Sequence, residues 1–160
     1  MSAGKILVAE HEGTFVLKLV GDVRLTLCTT IDEYCAEMFS KPTFVGVIVD
    51  LSEAEGVDST TLGLLAKLAI QAGQRFQLTP IILCPNPNLV RLLHSMGFQK
   101  VMDIRENFPT QSEVFGELAI KNADEGTVKQ KVIEAHRLLM DMNEQNRETF
   151  SALMTSLEQS

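Results

Sequence analysis

The sequence predicts an α/β fold: a mixed β-sheet covered by helices, followed by a long C-terminal helix. Three observations predict it. Short runs of β-branched and apolar residues alternate with segments whose apolar residues recur at helical spacing. The first two runs are parted only by a short turn-forming stretch, as in a hairpin. The last stretch, Val128 to Gln159, contains neither Gly nor Pro.

In chain order, residues 5–9 (KILVA) and 14–20 (TFVLKLV) read as the hairpin strands, with Glu10–Gly13 as the turn. Gly21 and Asp22 close the second strand. Apolar residues at 27, 28, 31, 34, 35, 38 and 39 then follow helical spacing, with Thr26 or Thr29 as N-cap. Lys41-Pro42 breaks that helix. Residues 44–51 (FVGVIVDL) form an apolar run without alternation, the pattern of a strand buried on both faces. Ser52–Val57 reads as a polar loop. A helix is expected from about Ser59 to Ala72, with Gly73 ending it.

Residues 78–83 (LTPIIL) read as a further strand. Pro80 there requires an edge position or the strand's first residues. Pro85–Asn88 turns into a helix over 89–96, and Gly97 stops it. Residues 100–104 form a last short strand. Thr110 to Glu113 is a capping box opening a helix to about Ile120. A hairpin followed by βα units implies a sheet that is mostly parallel at its centre.

The expected organisation is a domain over 1–120, a linker over 121–127 broken by Gly126, and a helical extension over 128–160. In the extension, Val128, Val132, Ala135, Leu139 and Met142 are spaced like a heptad seam, interrupted at Asn146 and Thr149. One helix of about 30 residues would span roughly 45 Å. Such a helix either folds back on its own domain or serves as an arm for self-association or partner binding, with Asn146 setting register.

The net charge is −7: residues 1–123 carry 10 basic and 14 acidic side chains, and residues 124–160 carry 4 and 7. Neither part offers the basic field that attracts nucleic acid or an anionic membrane, which points to a protein partner. The amino-terminal residues lack the pattern of a signal peptide, and no run is long enough to span a bilayer, so a cytoplasmic location is expected. The cysteines, Cys28, Cys35 and Cys84, fit neither a disulfide framework nor a zinc site and read as buried hydrophobes. No P-loop, dinucleotide fingerprint or hydrolase elbow is present, and neither a metal nor a cofactor is expected. His11, His94 and His136 lie far apart with no local Ser or Cys partner; His136 lines the C-terminal seam.

The informative stretch is residues 57–63 (VDSTTLG), after a strand and at the start of a helix. Glu53, Glu55 and Asp58 make its approach acidic. Their spacing is not that of a calcium loop. Three hydroxyls, Ser59, Thr60 and Thr61, exceed what capping needs, yet a Ser in such a place is most commonly an N-cap. The other reading is phosphorylation. A phosphate at a helix N-terminus is tolerated by the dipole and free N–H groups, and it adds about −1.5 to −2 charges to a docking surface.

These residues resemble the D-S-S/T-G-L-G signature of STAS domains in anti-anti-sigma factors. The strand and loop VGVIVDLSEAEGVD, the GDV after the second strand and the segment LVRLLHSMGFQKVMDI are also similar to that family, over about residues 5–120. The resemblance implies a STAS-like fold and a non-catalytic switch. Ser59 would be the phosphoacceptor, with Thr60 as alternative, Asp58 the preceding acid, and Glu53, Glu55, Asp58, Ser59, Thr60 and Thr61 the partner-binding surface. It implies an anti-sigma factor as partner, a cognate serine kinase and a metal-dependent serine phosphatase. Thr61 departs from the pattern, standing where the family has Gly. The extended form is similar to HsbA-type regulators of pseudomonads, which implies a FlgM-like partner and control of motility and biofilm. The long helix keeps a second role open, that of a STAS assembly module in a stressosome-like or transporter-associated complex.

Overall fold

Strand β1 (Lys5–His11) turns back into β2 (Thr14–Val23) through Glu12 and Gly13, and His11 faces Thr14 across the ladder. Both turn residues have positive φ, 50° and 89°, which matches the right-handed twist of the paired strands. Gly13 is required there. A side chain would meet the Thr43 carbonyl oxygen at 2.0 Å, and the Gly13 carbonyl accepts from the Val45 N–H. The computed structural model describes residues 3–107 and 115–159.

Among the described residues, six strands form one mixed sheet in the order β5-β4-β3-β2-β1-β6. Strand β3 (Gly46–Val57) runs parallel to β2, and β4 (Ile81–Leu83) and β5 (Asp103–Arg105) continue that direction. The expected loop at Ser52–Val57 is therefore strand. Its polar side chains hid it, but its backbone pairs with Val20–Val23 through two register irregularities. Burial on both faces is also corrected. Val47, Val49 and Leu51 are buried, whereas Ile48 and Asp50 between them are only half-buried. Pro80 stands just before β4, and its carbonyl accepts from the Asp103 N–H at 2.8 Å.

Helix α1 (Cys28–Ser40) follows a short 3-10 turn, and no side chain caps it, so neither Thr26 nor Thr29 fills that role. Helix α2 (Ser59–Phe76) runs through Gly73 and ends one turn later, at Gln77 in the left-handed region. An aromatic cluster extends it: the Phe76 ring lies 5.6 Å from Phe39 and 4.8 Å from Phe44. Helix α3 (Pro87–Met96) starts on an Asn86 cap with Pro87 at N1 and ends on Gly97. The last strand, expected from Lys100, starts at Asp103 instead, and Lys100 ends a 3-10 turn that opens at Phe98.

Among the described residues, 115–120 carry no helix where one was expected to reach Ile120. Gly116 and Glu117 form β6, paired antiparallel with Leu7 and Val8, and the capping box at 110–113 lies outside the described residues. The expected C-terminal helical segment is present, divided in two. Helix α4 (Glu125–Met142) and helix α5 (Glu144–Gln159) fold as an antiparallel hairpin, and Gly126 lies inside the first turn of α4. The break falls at Asn143, which is fully extended. Its side-chain oxygen accepts from the Asn146 N–H at 2.7 Å, and its amide donates to the Ser95 carbonyl at 3.0 Å.

Asn146 does not set a coiled-coil register. Its buried amide donates to the Leu139 carbonyl at 2.7 Å and the Met96 carbonyl at 2.8 Å, tying the hairpin's turn to the end of α3. Lys100 adds a bond to the Met142 carbonyl. The seam residues Ala135, Leu139 and Met142 are buried in the chain's own interior. Replacing Asn146 by Ala strands two buried carbonyls. It should cost about 2 kcal/mol, read as a lower urea midpoint at unchanged slope.

Candidate functional site

The site is built at the junction of β3 and α2. Asp58 has extended backbone and caps α2: its Oδ1 accepts from the Thr61 N–H at 2.9 Å. Its Oδ2 accepts from the Leu25 N–H at 2.7 Å, and its own N–H donates to the Val23 carbonyl. One carboxylate thus joins the start of α2 to the end of β2 and the approach to α1. Two expectations change here. Ser59 is the first helical residue, not the cap. Asp58 is committed to internal bonds and does not add to a free acidic loop.

The rest of the expected acidic cluster is spread along β3. Glu53 and Glu55 are exposed strand residues, and Glu53 is paired with Lys18 of β2. Thr60 is 3% exposed and Thr61 is fully buried, its hydroxyl pointing to the Val23 carbonyl at 3.4 Å. Of the three hydroxyls, only that of Ser59 stands at a half-buried position.

Ser59 has a partner that local sequence could not show. Its Oγ lies 2.7 Å from Nε2 of His136, on α4 and 77 positions away. His136 is 1% exposed, and its Nδ1 lies 2.7 Å from the Val132 carbonyl, one turn back. A carbonyl only accepts, so Nδ1 carries a proton, and in the tautomer whose one proton sits there Nε2 accepts and Ser59 donates. The imidazole and the Phe150 ring of α5 meet in a T-shaped contact, with centroids 5.0 Å apart. A hydroxyl directed at an imidazole is the geometry of an activated nucleophile. Here the orienting group is the helix backbone instead of a carboxylate, and the ring is enclosed by protein.

Two more contacts align with this one along α2. Gly63, four residues on, touches α4 directly: a Cβ would stand 2.3 Å from the Ala135 carbonyl oxygen and 2.5 Å from Ala135 Cβ. Lys67, four further, bonds Glu134 of α4 at 2.7 Å and Asp32 of α1 at 2.9 Å. Lys131 of α4 reaches the other Asp32 oxygen at 2.6 Å. The sequence signal for this stripe was available: Gly63 and Lys67 interrupt the otherwise apolar run from Leu62 to Ile70, and Ser59 stands one further step of four before them.

Burial by itself would raise the Asp32 carboxyl, but hydrogen bonds from Lys131 and Lys67 outweigh it and hold it below the usual carboxylate range. Burial would lower Lys67, but bonds to Glu134 and Asp32 prevail and raise it. The cysteines take no part. Burial pushes the Cys35 thiol up to about 12 and raises Cys28 and Cys84, so all three stay protonated and inert. Among the described residues no group of His, Cys, Asp and Glu is arranged to hold a metal, and no helix is long and apolar enough to cross a membrane.

The STAS domain family matches residues 5–113. Among solved structures, the anti-sigma factor antagonist SpoIIAA in its unphosphorylated form is similar, with a TM-score of 0.54 at 16% identity, over 65% of this chain and 89% of that one. A protein of the DUF3478 family from Shewanella loihica, described as having a SpoIIAA-like fold, aligns with a TM-score of 0.46 at 13% identity, over 66% and 88%. No curated protein matches in sequence.

The ion network has a definite pH window. The lowered Asp32 contributes stability that is complete above about pH 4 and is lost as pH falls through its folded value; the raised Lys67 contributes below about pH 10 and loses it as pH rises. Asp32→Asn should therefore flatten the acid limb of the stability curve below about pH 4, read by thermal unfolding at each pH.

Proposed function

Because the chain belongs to the STAS family over residues 5–113, we propose that it is an anti-anti-sigma factor whose binding is switched by phosphorylation of Ser59. The observation that carries this reading is the placement of the serine. It opens α2 directly after an Asp cap, the position the family's signature gives to its phosphoacceptor, and it is half-buried where Thr60 and Thr61 are buried. Thr60, the nearest rival, is buried at 3% exposure.

The unphosphorylated protein binds an anti-sigma factor and thereby releases a sigma factor. Its partner surface comprises the start of α2 and the exposed edge of β3 that carries Glu53 and Glu55. A kinase adds the phosphate and a metal-dependent phosphatase removes it. The phosphate leaves α2 intact, because Asp58 and not Ser59 is the cap, and the helix dipole tolerates a negative charge at N1. It changes the charge of the docking surface by about −2. Similarity to HsbA-type regulators points to a FlgM-like partner and to motility and biofilm genes as the output.

The reading is non-enzymatic. The Ser59–His136 pair is covered by α4 and α5, and an open pocket bounded by Glu10, Tyr34 and Lys41 lies by the other end of α1. The packing of α4 against the chain's own core favours a switch over an assembly module built on a free C-terminal helix.

The test uses purified anti-sigma partner and kinase. Wild type should take up one phosphate with ATP, Ser59→Ala none, and Ser59→Asp should lose at least about tenfold in partner affinity, as expected for a charge placed in a desolvated contact. Phosphate uptake by Ser59→Ala together with wild-type binding by Ser59→Asp would overturn the proposal.

A further inference from the structure

The serine proposed as the switch is covered by the protein's own C-terminal hairpin. Ser59, Gly63 and Lys67 lie on one stripe of α2, and each meets α4, at His136, Ala135 and Glu134. The turn of the hairpin is pinned to the end of α3 by Asn143 and Asn146. Its approach is pinned to α1, where the Lys121 N–H donates to the Thr30 hydroxyl at 2.9 Å. Ser59 supplies the one hydroxyl that the enclosed imidazole of His136 accepts from.

This contact is incompatible with a phosphate. Transfer of the γ-phosphoryl group of a nucleoside triphosphate to Ser59 breaks the Oγ–H bond and forms Oγ–P. The proton passes to a base of the kinase, and the nucleoside diphosphate leaves. The ester oxygen has no hydrogen to give, so the hydrogen bond from Ser59 to His136 is lost as it stands. If the phosphoryl group keeps the direction of the hydroxyl, it needs the space the ring occupies. If it turns to solvent, Nε2 stays buried and unpaired. A shift of α4 toward α2 cannot close the gap, because their backbones already touch at Gly63.

Building on the phosphorylation reading above, we propose that α4 and α5 form an intramolecular latch over Ser59. The latch is docked while the serine carries a free hydroxyl and is released when it carries a phosphate. The kinase acts on the open form, so latch opening limits the rate of phosphorylation. Release uncovers Ala135, Leu139 and Met142, an apolar surface that the unmodified protein keeps buried.

Hydrogen exchange on the full chain tests the latch without a kinase. Phosphoserine is installed at position 59 during synthesis and compared with wild type and Ser59→Ala. Amides of residues 125–159 should exchange about tenfold faster or more in both altered proteins, while those of β2 and β3 keep their protection. Unchanged or stronger protection of α4 and α5 in both would overturn the latch and leave the phosphorylation reading standing. Ala135→Leu opens the latch from the other side without touching Ser59, and the partner kinase should label it faster than wild type. Absence of label on Ser59 in either protein would overturn the phosphorylation reading, while the exchange result would still decide the latch. Should Ala135→Leu also expose β2 and β3, the phosphoserine protein decides.

Discussion

Helix α4 lies against α2 only because residue 63 has no side chain. A Cβ there would overlap both the backbone and the side chain of Ala135, so the two helices meet backbone to backbone. That approach sets the spacing for the contacts on either side. One turn toward the start of α2 it brings the Ser59 hydroxyl to the His136 ring, and one turn toward the end it brings Lys67 to Glu134 and Asp32. Dispersion and the hydrophobic effect hold the hairpin down through Ala135, Leu139, Met142 and Phe150, while the polar contacts fix its register.

The beginning of α2 is rigid for a separate reason. The Asp58 carboxylate takes two backbone N–H donors from different segments, and the Val23 carbonyl takes the Asp58 N–H and the Thr61 hydroxyl. Thr61, which stands where related signatures have Gly, is accommodated by burial and by that bond. The serine is thereby presented on a fixed scaffold, and its own hydroxyl is spared from capping. A modification of that hydroxyl acts on what packs above it and leaves the helix below in place.

Most of the sheet was legible in the sequence, because β1, β2 and the first half of β3 are short apolar runs with clear boundaries. The failures share a cause. The second half of β3 is polar, and its strand character comes from pairing with β2, a contact between distant segments. Gly73 reads as a stop, but Phe76 gains a place among Phe39 and Phe44 by one more turn of helix. Asn143 and Asn146 read as an interruption in a seam. They are the cap and the pins of a hairpin turn whose partners, Ser95 and Met96, lie about fifty residues away.

By itself the sequence determined the mixed α/β class, the hairpin turn, the Asp-Ser-Thr-Thr start of α2 and an amphipathic C-terminal segment. These follow from periodicity, turn chemistry and capping, which act between neighbours in the chain. Only the tertiary structure decided that Asp58 is the cap and Ser59 is not, that Thr60 and Thr61 are shut in, and that His136 accepts from Ser59. Those outcomes depend on two helices 77 positions apart approaching over a glycine. No local pattern specifies that approach, because it is selected by what the folded core leaves uncovered.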